Sequence, residues 1–353
     1  HNAYLQALRA NDAVKHFAHA SGRYPFTSFG RLNTAPLFCE LGLNLVNPQG
    51  YSALIVPTGI ATDSFNQYFF NHIVDSGSLR CLYDFENRLG LFPAVDSRMK
   101  FCLLVLNGSH NATTQMQFAF FAHDVSDLAE ITFSLSPEDI ALLNPNTRTT
   151  PIFRTKRDAD LTRKVYQTVP VLIDEIEELS SWSVDFRLMF MMNAASDKFL
   201  TLNDLANSEL RGNCLFRDHE IYLPLYEGKM INMFDHRAAR VVISEQAAVR
   251  QGQSEYFTIE EHQAPNLLAM PRYWVAKRDT LEVIPKYHDT SWLMGFKDVT
   301  SVTNERTVIA SVIPFTAVGH TLPVVYVLNE ARVRESSAFL TNLNSFVLDY
   351  IAR

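Results

Sequence analysis

Residues 82–106 read LYDFENRLGLFPAVDSRMKFCLLVL. Two apolar runs with the texture of strands flank a charged, turn-forming segment, and that segment carries a phenylalanine, Phe92. An aromatic ring held in a loop at the ends of sheet strands, beside Glu86, Asn87 and Arg88, can stack on a planar ligand. The same ring, flanked by Leu91 and Pro93, can instead anchor a small satellite core. The residues alone leave both readings open.

Other constellations compete for attention. Asp218 with Glu227-x-Lys229 superficially matches the Asp…Glu-x-Lys arrangement in which two carboxylates hold magnesium and a lysine orients water, but the pattern is short. Rather than a metal site, Lys229 and the polar group Asp235, His236 and Arg237 are expected to hold a domain together or to touch a nucleic-acid backbone. No G-x-S-x-G elbow is present, so the eleven scattered histidines give no ground for a Ser/His/Asp triad. The four cysteines, at 39, 81, 102 and 214, form no C-x-x-C pair, and Cys81 and Cys102 fall in strand-like runs where a buried free thiol is expected. No metal site and no disulfide framework follow from them. Asn107-Gly-Ser and Asn111-Ala-Thr match a glycosylation triplet short enough to arise by chance, and are set aside.

The elements that must position these residues come from a chain of 353 residues, 47% hydrophobic and 20% charged, a globular composition expected to form roughly two domains. No apolar stretch approaches the run of about 18 residues that a membrane helix requires, and residues 1–30 lack the features of a signal peptide, so a cytoplasmic protein with no membrane partner is expected. The net charge of -7 divides into 8 basic against 12 acidic residues over 1–144 and 23 against 26 over 145–353. Any nucleic-acid surface must therefore be a local patch. The two candidates are Arg148 to Lys164 and Arg272 to Lys297, each of which also reads as a solvated face.

Spaced apolar residues predict a helix over 1–20, ended by Ser21-Gly22. A second helix over "TAPLFCELGLNLV" puts Leu37, Leu41 and Leu45 on one face and stops at Asn47-Pro48-Gln49-Gly50. A strand, "YSALIVPTG", precedes a helix expected to be capped by Asp63. The two runs of the opening segment and "QMQFAFFAH" complete three further strands. This order fits the second half of an open α/β sheet with an antiparallel edge. From Ser136 the texture changes. "SPEDIALLNPN" reads as a short capped helix, the domain boundary is placed near Pro145, and "DADLTRKVYQTV" reads as a helix beyond it. The rest is irregular, with strands such as "RYWVAKR" and "RTVIASVIPF", an acidic run "DEIEEL", and one terminal helix, "SSAFLTNLNSFVLDYIA".

The sequence resembles the Eco57I-type family of N6-adenine DNA methyltransferases, single-chain methylases of restriction-modification and phage-defence systems. The resemblance rests on "LNTAPLFCELGLNLVNPQGYSALIVPTGIATDS" at 32–64, the opening segment at 82–106, "LSPEDIALLNPNTRTTPIFRTKRDADLTRKVY" at 135–166, "LPLYEGKMINMFDHR" at 223–237, "TNERTVIASVIP" at 303–314 and "NLNSFVLDYIAR" at 342–353. It implies an α/β fold: the C-terminal half of a Rossmann-like class I methyltransferase sheet over 1–145, followed by an α+β target-recognition domain over 146–353. It also implies a role for Phe92, which matches the family's aromatic that stacks on an adenine swung out of the duplex. The target amine is unreachable inside stacked DNA, so the base must be extruded and held flat.

The resemblance further implies S-adenosylmethionine as methyl donor and double-stranded DNA as partner, and it admits a fused or associated nuclease or translocase. Two of the family's elements are missing from the sequence: the glycine-rich turn that holds the donor, and the Asn-Pro-Pro-aromatic loop that accepts hydrogen bonds from the amine. Asn47-Pro48 and Asn144-Pro145 continue as Gln-Gly and Asn-Thr. The expectation is a fragment that does not methylate alone. In the recognition part, Arg272, Lys277, Arg278, Lys297, Asn304, Arg306 and His320 are the candidate DNA-binding residues, because Arg, Lys and Asn supply the donors and acceptors that distinguish bases. The alternative function is a non-catalytic specificity module that works with a separate catalytic subunit.

Overall fold

The computed structural model describes residues 1–242, 252–300, 304–328 and 332–352. The chain is mixed α/β with several sheets and divides into two compact units, His1–Ser181 and Trp182–Arg353. Thr303 of the "TNERT" segment and the terminal Arg353 lie outside the described residues.

In the first unit, α1 (Asn2–Ala20) ends at Ser21 as its sequence predicts. α2 (Thr34–Leu45) is capped by Asn33, whose side chain accepts from the Ala35 N–H. Its buried face is Pro36, Cys39 and Glu40, whereas Leu45 stands 75% exposed, so the expected Leu37/Leu41/Leu45 stripe is not the packed one. The reason is Glu40, drawn inward because it accepts from the Thr27 hydroxyl at 2.6 Å and from the Phe26 N–H. β1 (Tyr51–Val56) follows, then the single turn α3 (Gly59–Thr62) and α4 (Gln67–Asp75). Asp63 sits at the break between them, and its side chain makes no cap. Phe69, Phe70, Ile73 and Val74 of α4 supply much of the core.

β2 (Leu79–Glu86), β3 (Lys100–Asn107), β4 (Met116–Ala122) and β5 (Phe133–Leu135) join β1 in one sheet of order β1-β3-β2-β4-β5. β3 is antiparallel to both β1 and β2, while β2 and β4 are parallel, so β1, β2 and β4 point the same way. An antiparallel edge strand is indeed present, β5, but a second antiparallel strand, β3, lies inside the sheet. The carboxyl ends of β1, β2 and β4 therefore share one edge of the sheet with the start of β3. Gly108, just past β3, is fixed by close approach: a Cβ there would lie 2.0 Å from the Asn47 carbonyl oxygen. Asn107 beside it is 1% exposed, which closes it to a glycan.

Residues 136–181 belong to the same unit, which moves the compact boundary from the expected Pro145 to Ser181. Both helices in this stretch carry capping boxes: α6 (Pro137–Leu143), after the one-turn α5 (Leu128–Ile131), through Ser136 and Asp139, and α7 (Lys156–Thr168) through Thr155 and Asp158. Arg163 of α7 pairs with Asp139 of α6 at 2.8 Å, Phe153 packs on Phe133, and Ala159 is buried in the core. Asn146 ties the segment to a small hairpin of β6 (Ile173–Asp174) and β7 (Leu179–Ser180), donating to the Ile173 carbonyl. Packing, rather than the texture of the sequence, sets the boundary here.

The second unit holds β8 (Val184–Arg187), β9 (Glu209–Arg211), β10 (Cys214–Arg217), β11 (Glu220–Tyr226), β12 (Ala239–Val242), β13 (Gln253–Tyr256), β14 (Trp274–Ala276), β15 (Trp292–Phe296), β16 (Ala310–Pro314), β17 (Ala317–Val318) and β18 (Val324–Val327). They form sheets of order β14-β11-β10-β9, with β17 parallel to β11, and β16-β15-β18-β8, beside the hairpin β12-β13. Leu223, Leu225, Val275, Leu293, Ile313 and Val324 join these strands in one core. Of "RYWVAKR" only Trp274–Ala276 is strand. Lys277 and Arg278 open a helix, α9 (Lys277–Val283), that follows α8 (Ile259–Gln263). The terminal segment is two helices, α10 (Arg332–Leu343) and α11 (Phe346–Ala352), because the Asn344 side chain turns to pair with the Ala310 backbone on both sides.

Candidate base-stacking site

The loop that joins β2 to β3 leaves the sheet at its shared carboxyl edge. It is built around Asn87, which is 1% exposed. The Asn87 side chain accepts from the Phe92 N–H at 2.9 Å and donates to the carbonyls of Phe92 and Val95 at 3.0 and 2.9 Å. Gly90, with φ +69°, makes the turn that brings the chain back. Phe92 so held is 39% exposed, neither sunk in the core nor free. Its ring meets Phe101 edge-on, centroids 4.9 Å apart at 86°, and Phe101 lies parallel to the buried Phe85. Phe92 is thus backed by a pair of stacked aromatic rings. Leu89, Leu91, Val95 and Met99 add exposed apolar surface to the same loop.

Around this loop the strand ends gather polar side chains that the opening segment only partly signalled. Asp84 of β2, 1% exposed, accepts from the Thr58 hydroxyl and from the Phe121 N–H at 3.1 Å. Phe121 has φ +63°, a left-handed conformation that is unusual for a bulky side chain. Such a conformation persists where surrounding contacts fix it, and the bond to Asp84 is one of those contacts. The Phe121 ring carries two cations, Lys100 Nζ at 4.0 Å and Arg154 Cζ at 4.4 Å from its centroid. Glu86, at the end of β2, pairs with Arg88, with Lys100 at 3.6 Å and with His123 at 3.4 Å. Burial works against its charge, but hydrogen bonds from Arg88 and His123 and the Lys100 charge outweigh that and hold its carboxyl below the usual range.

Sequence reasoning passed over Asp84, Phe121 and His123. The available signal was positional: polar residues at the ends of three separate apolar runs, which share an edge only once the strands are paired.

The recognition candidates of the second unit fall in separate settings. Arg272 lies over Tyr273 at 4.7 Å, and Arg278 is an exposed side chain that meets Glu220 at 3.0 Å. Lys277 is half-buried at the start of α9, and Asn304 is exposed. Lys297 is half-buried, and burial pushes its amine down. Its stem lies against Gly228, as does the Thr321 carbonyl. His320, next to Thr321, accepts at Nδ1 from the Met192 N–H. Arg306 has an interior role: it ion-pairs with Asp349 at 3.2 Å, donates to the carbonyls of Asn344 and Ser345, and has a side chain only 12% exposed. Its donors are committed to holding the two terminal helices, which takes it out of any base-reading surface.

The magnesium-like pattern also has a local use. Glu227 pairs with Lys229 at 3.1 Å, and Lys229 donates to the Gly252 carbonyl. Asp218 points elsewhere, near Arg217. Among the described residues no three His, Cys, Asp or Glu side chains converge as a metal site. No described helix is long and apolar enough to cross a membrane.

No family model matches the sequence, and no curated protein matches it. Among solved structures, that of the type IIG restriction endonuclease BpuSI aligns with 96% of this chain and 41% of its own, at 14% identity and a TM-score of 0.37. The chain thus spans less than half the length of that protein. Likeness at this level decides nothing about chemistry, which rests on the residues themselves.

Proposed function

We propose that this chain is part of a site-specific adenine-N6 DNA methyltransferase of a restriction-modification or phage-defence system, and that its first unit holds the flipped base. One observation carries the reading: Phe92 is half-exposed, backed by Phe101, and fixed by Asn87 at the carboxyl edge of the parallel strands. Ligands of open α/β sheets bind outside that edge. A ring needed only as an anchor would be covered. A ring meant to receive a purine must keep one face open and be stiff behind, since each base stacked on an aromatic contributes about 1–3 kcal/mol. The strand order β1-β3-β2, with the middle strand reversed, agrees with the distal half of a Rossmann-like methyltransferase sheet.

The residues present do not fit the methyl donor. A cradle for S-adenosylmethionine needs a glycine-rich turn after a strand, so that backbone can approach the ligand. β1 is followed by Pro57-Thr58-Gly59, where a Cβ on Gly59 would meet the Asp63 carboxylate, and β2 and β4 run into Asn87 and His123. Donor binding, and with it the methyl-transfer step, is therefore assigned to sequence other than these strands. The second unit is proposed to contact DNA through Arg272, Lys277, Arg278, Lys297, Asn304 and His320. Association with a nuclease or translocase, and a cytoplasmic setting, belong to the same proposal.

The test uses a duplex carrying one 2-aminopurine·cytosine mismatch, because a weakly paired base is the easiest to extrude. Binding of the chain should change the 2-aminopurine fluorescence, Phe92→Ala should abolish that change, and Phe92→Tyr should retain it. An identical response from Phe92→Ala and the unaltered chain would remove the base-stacking role.

A further inference from the structure

Resting on the reading of the first unit as a base-holding site, we propose that Arg154, seated on the ring of Phe121, binds a backbone phosphate of the same DNA. Arg154 is exposed, and among the described residues no carboxylate lies within ion-pair distance of it. Its guanidinium is nevertheless not adrift, because its carbon lies 4.4 Å from the Phe121 centroid. A guanidinium stacked on a ring keeps its N–H fork available in its own plane, which suits the paired oxygens of a phosphate. Lys100, over the same ring at 4.0 Å, adds a second charge, partly offset by Glu86.

Three features distinguish Arg154 from an ordinary surface arginine. Its platform is a phenylalanine in a conformation that favours glycine, tied to the buried Asp84, so the sequence keeps a ring where a glycine would sit with less strain. Lys156 and Arg157, also exposed, continue the basic run into the first turn of α7, where a cation opposes the helix dipole. Two other arginines of the basic stretch have carboxylate partners: Arg148 pairs with Asp75, and Arg163 with Asp139 and Asp160. Arg154 thus sets a charge beside Phe121, on the sheet edge that carries Phe92.

The experiment follows duplex affinity of the full chain against salt, with the 2-aminopurine mismatch duplex as probe. One neutralised phosphate contributes about 0.9 to the slope of log K against log salt. Arg154→Ala should flatten the slope by about that amount, with the Phe92-dependent fluorescence change retained. Phe121→Gly, which accepts the backbone conformation and deletes the platform, should weaken binding in the same direction. Arg23→Ala, an exposed charge just past α1 and outside the basic stretch, should leave the slope unchanged. A slope unaltered by Arg154→Ala, or lowered equally by Arg23→Ala, overturns the assignment of Arg154 while leaving the stacking role of Phe92 standing. Failure of the intact chain to bind the duplex overturns both.

Discussion

Asn87 grips the peptide of Phe92 from both sides, accepting from its N–H at 2.9 Å and donating to its carbonyl at 3.0 Å. The shape of the loop is therefore set by a buried amide five residues before the ring, not by packing of the ring itself. Asn87→Asp keeps the acceptor and removes both donated bonds, and Asn87→Ala removes all three. Each should cost roughly 1–3 kcal/mol of local stability, because the bonds made by the buried Asn87 amide are lost. Hydrogen exchange at residues 88–98 should accelerate, and the 2-aminopurine response should weaken as the ring loses its fixed position. Unchanged protection in Asn87→Ala would show that the loop is held by other contacts.

Asp84 joins two strand ends by accepting from Thr58 and Phe121. Asp84→Ala leaves the strained Phe121 N–H without its acceptor, and a loss of about 1–3 kcal/mol is expected. The first unit carries Cys39, Cys81 and Cys102, all buried, so the denaturant concentration at which these thiols become reactive reports its unfolding. That midpoint should fall in Asp84→Ala. An unchanged midpoint would mean that Phe121 is fixed by its ring contacts alone.

The thiols themselves should be inert in the folded chain. Burial pushes Cys39 up to about 12, and raises Cys81 and Cys102 as well, so little thiolate exists near neutral pH. Cys214 is also raised by burial, but it is only partly covered. A disulfide reagent at pH 8 should modify Cys214 first and the other three only on unfolding, read by peptide mass mapping. Rapid native labelling of Cys102 would contradict the packing of β3.

Asp349 holds the terminal helices through Arg306 and through the N–H groups of Thr307 and Val308. Burial alone would raise its carboxyl, but the hydrogen bonds from Val308, Thr307 and Arg306 prevail and its pKa is lowered. Unfolding restores a value of about 3.9. The contribution is thus present above that value and is lost as pH falls through the lower, folded pKa. Asp349→Ala, which strands a buried guanidinium, should destabilise by about 3–5 kcal/mol near neutral pH. Asp349→Asn should show a shallower loss of stability on acidification than the unaltered chain. Trp182, Trp274 and Trp292 all lie in the second unit, so tryptophan fluorescence in urea follows this unit separately. Identical acid profiles for the two chains would remove Asp349 from the pH response.

Much of the local structure was legible because its causes are local. Apolar runs bounded by turns marked β1 to β4, and the Ser136/Asp139 box marked α6. Errors arose where a distant partner overrode a local pattern. Glu40 turned α2 by reaching Thr27, Asn344 split the last helix by reaching Ala310, and Arg163 with Phe153 drew residues past 145 into the first unit. Arg306 looked like a base-reading donor until Asp349 and two carbonyls occupied it.

The sequence by itself determined that a phenylalanine stands in a polar turn between two strands, since residue type and hydrophobic period are properties of neighbours along the chain. Whether that ring is covered was decided only by the fold, because exposure depends on how Asn87, Phe101 and Phe85 meet across the sheet. The same holds for the cations on Phe121. Lys100 and Arg154 stand 54 positions apart in the numbering, and strand pairing with helix packing makes them neighbours of one ring.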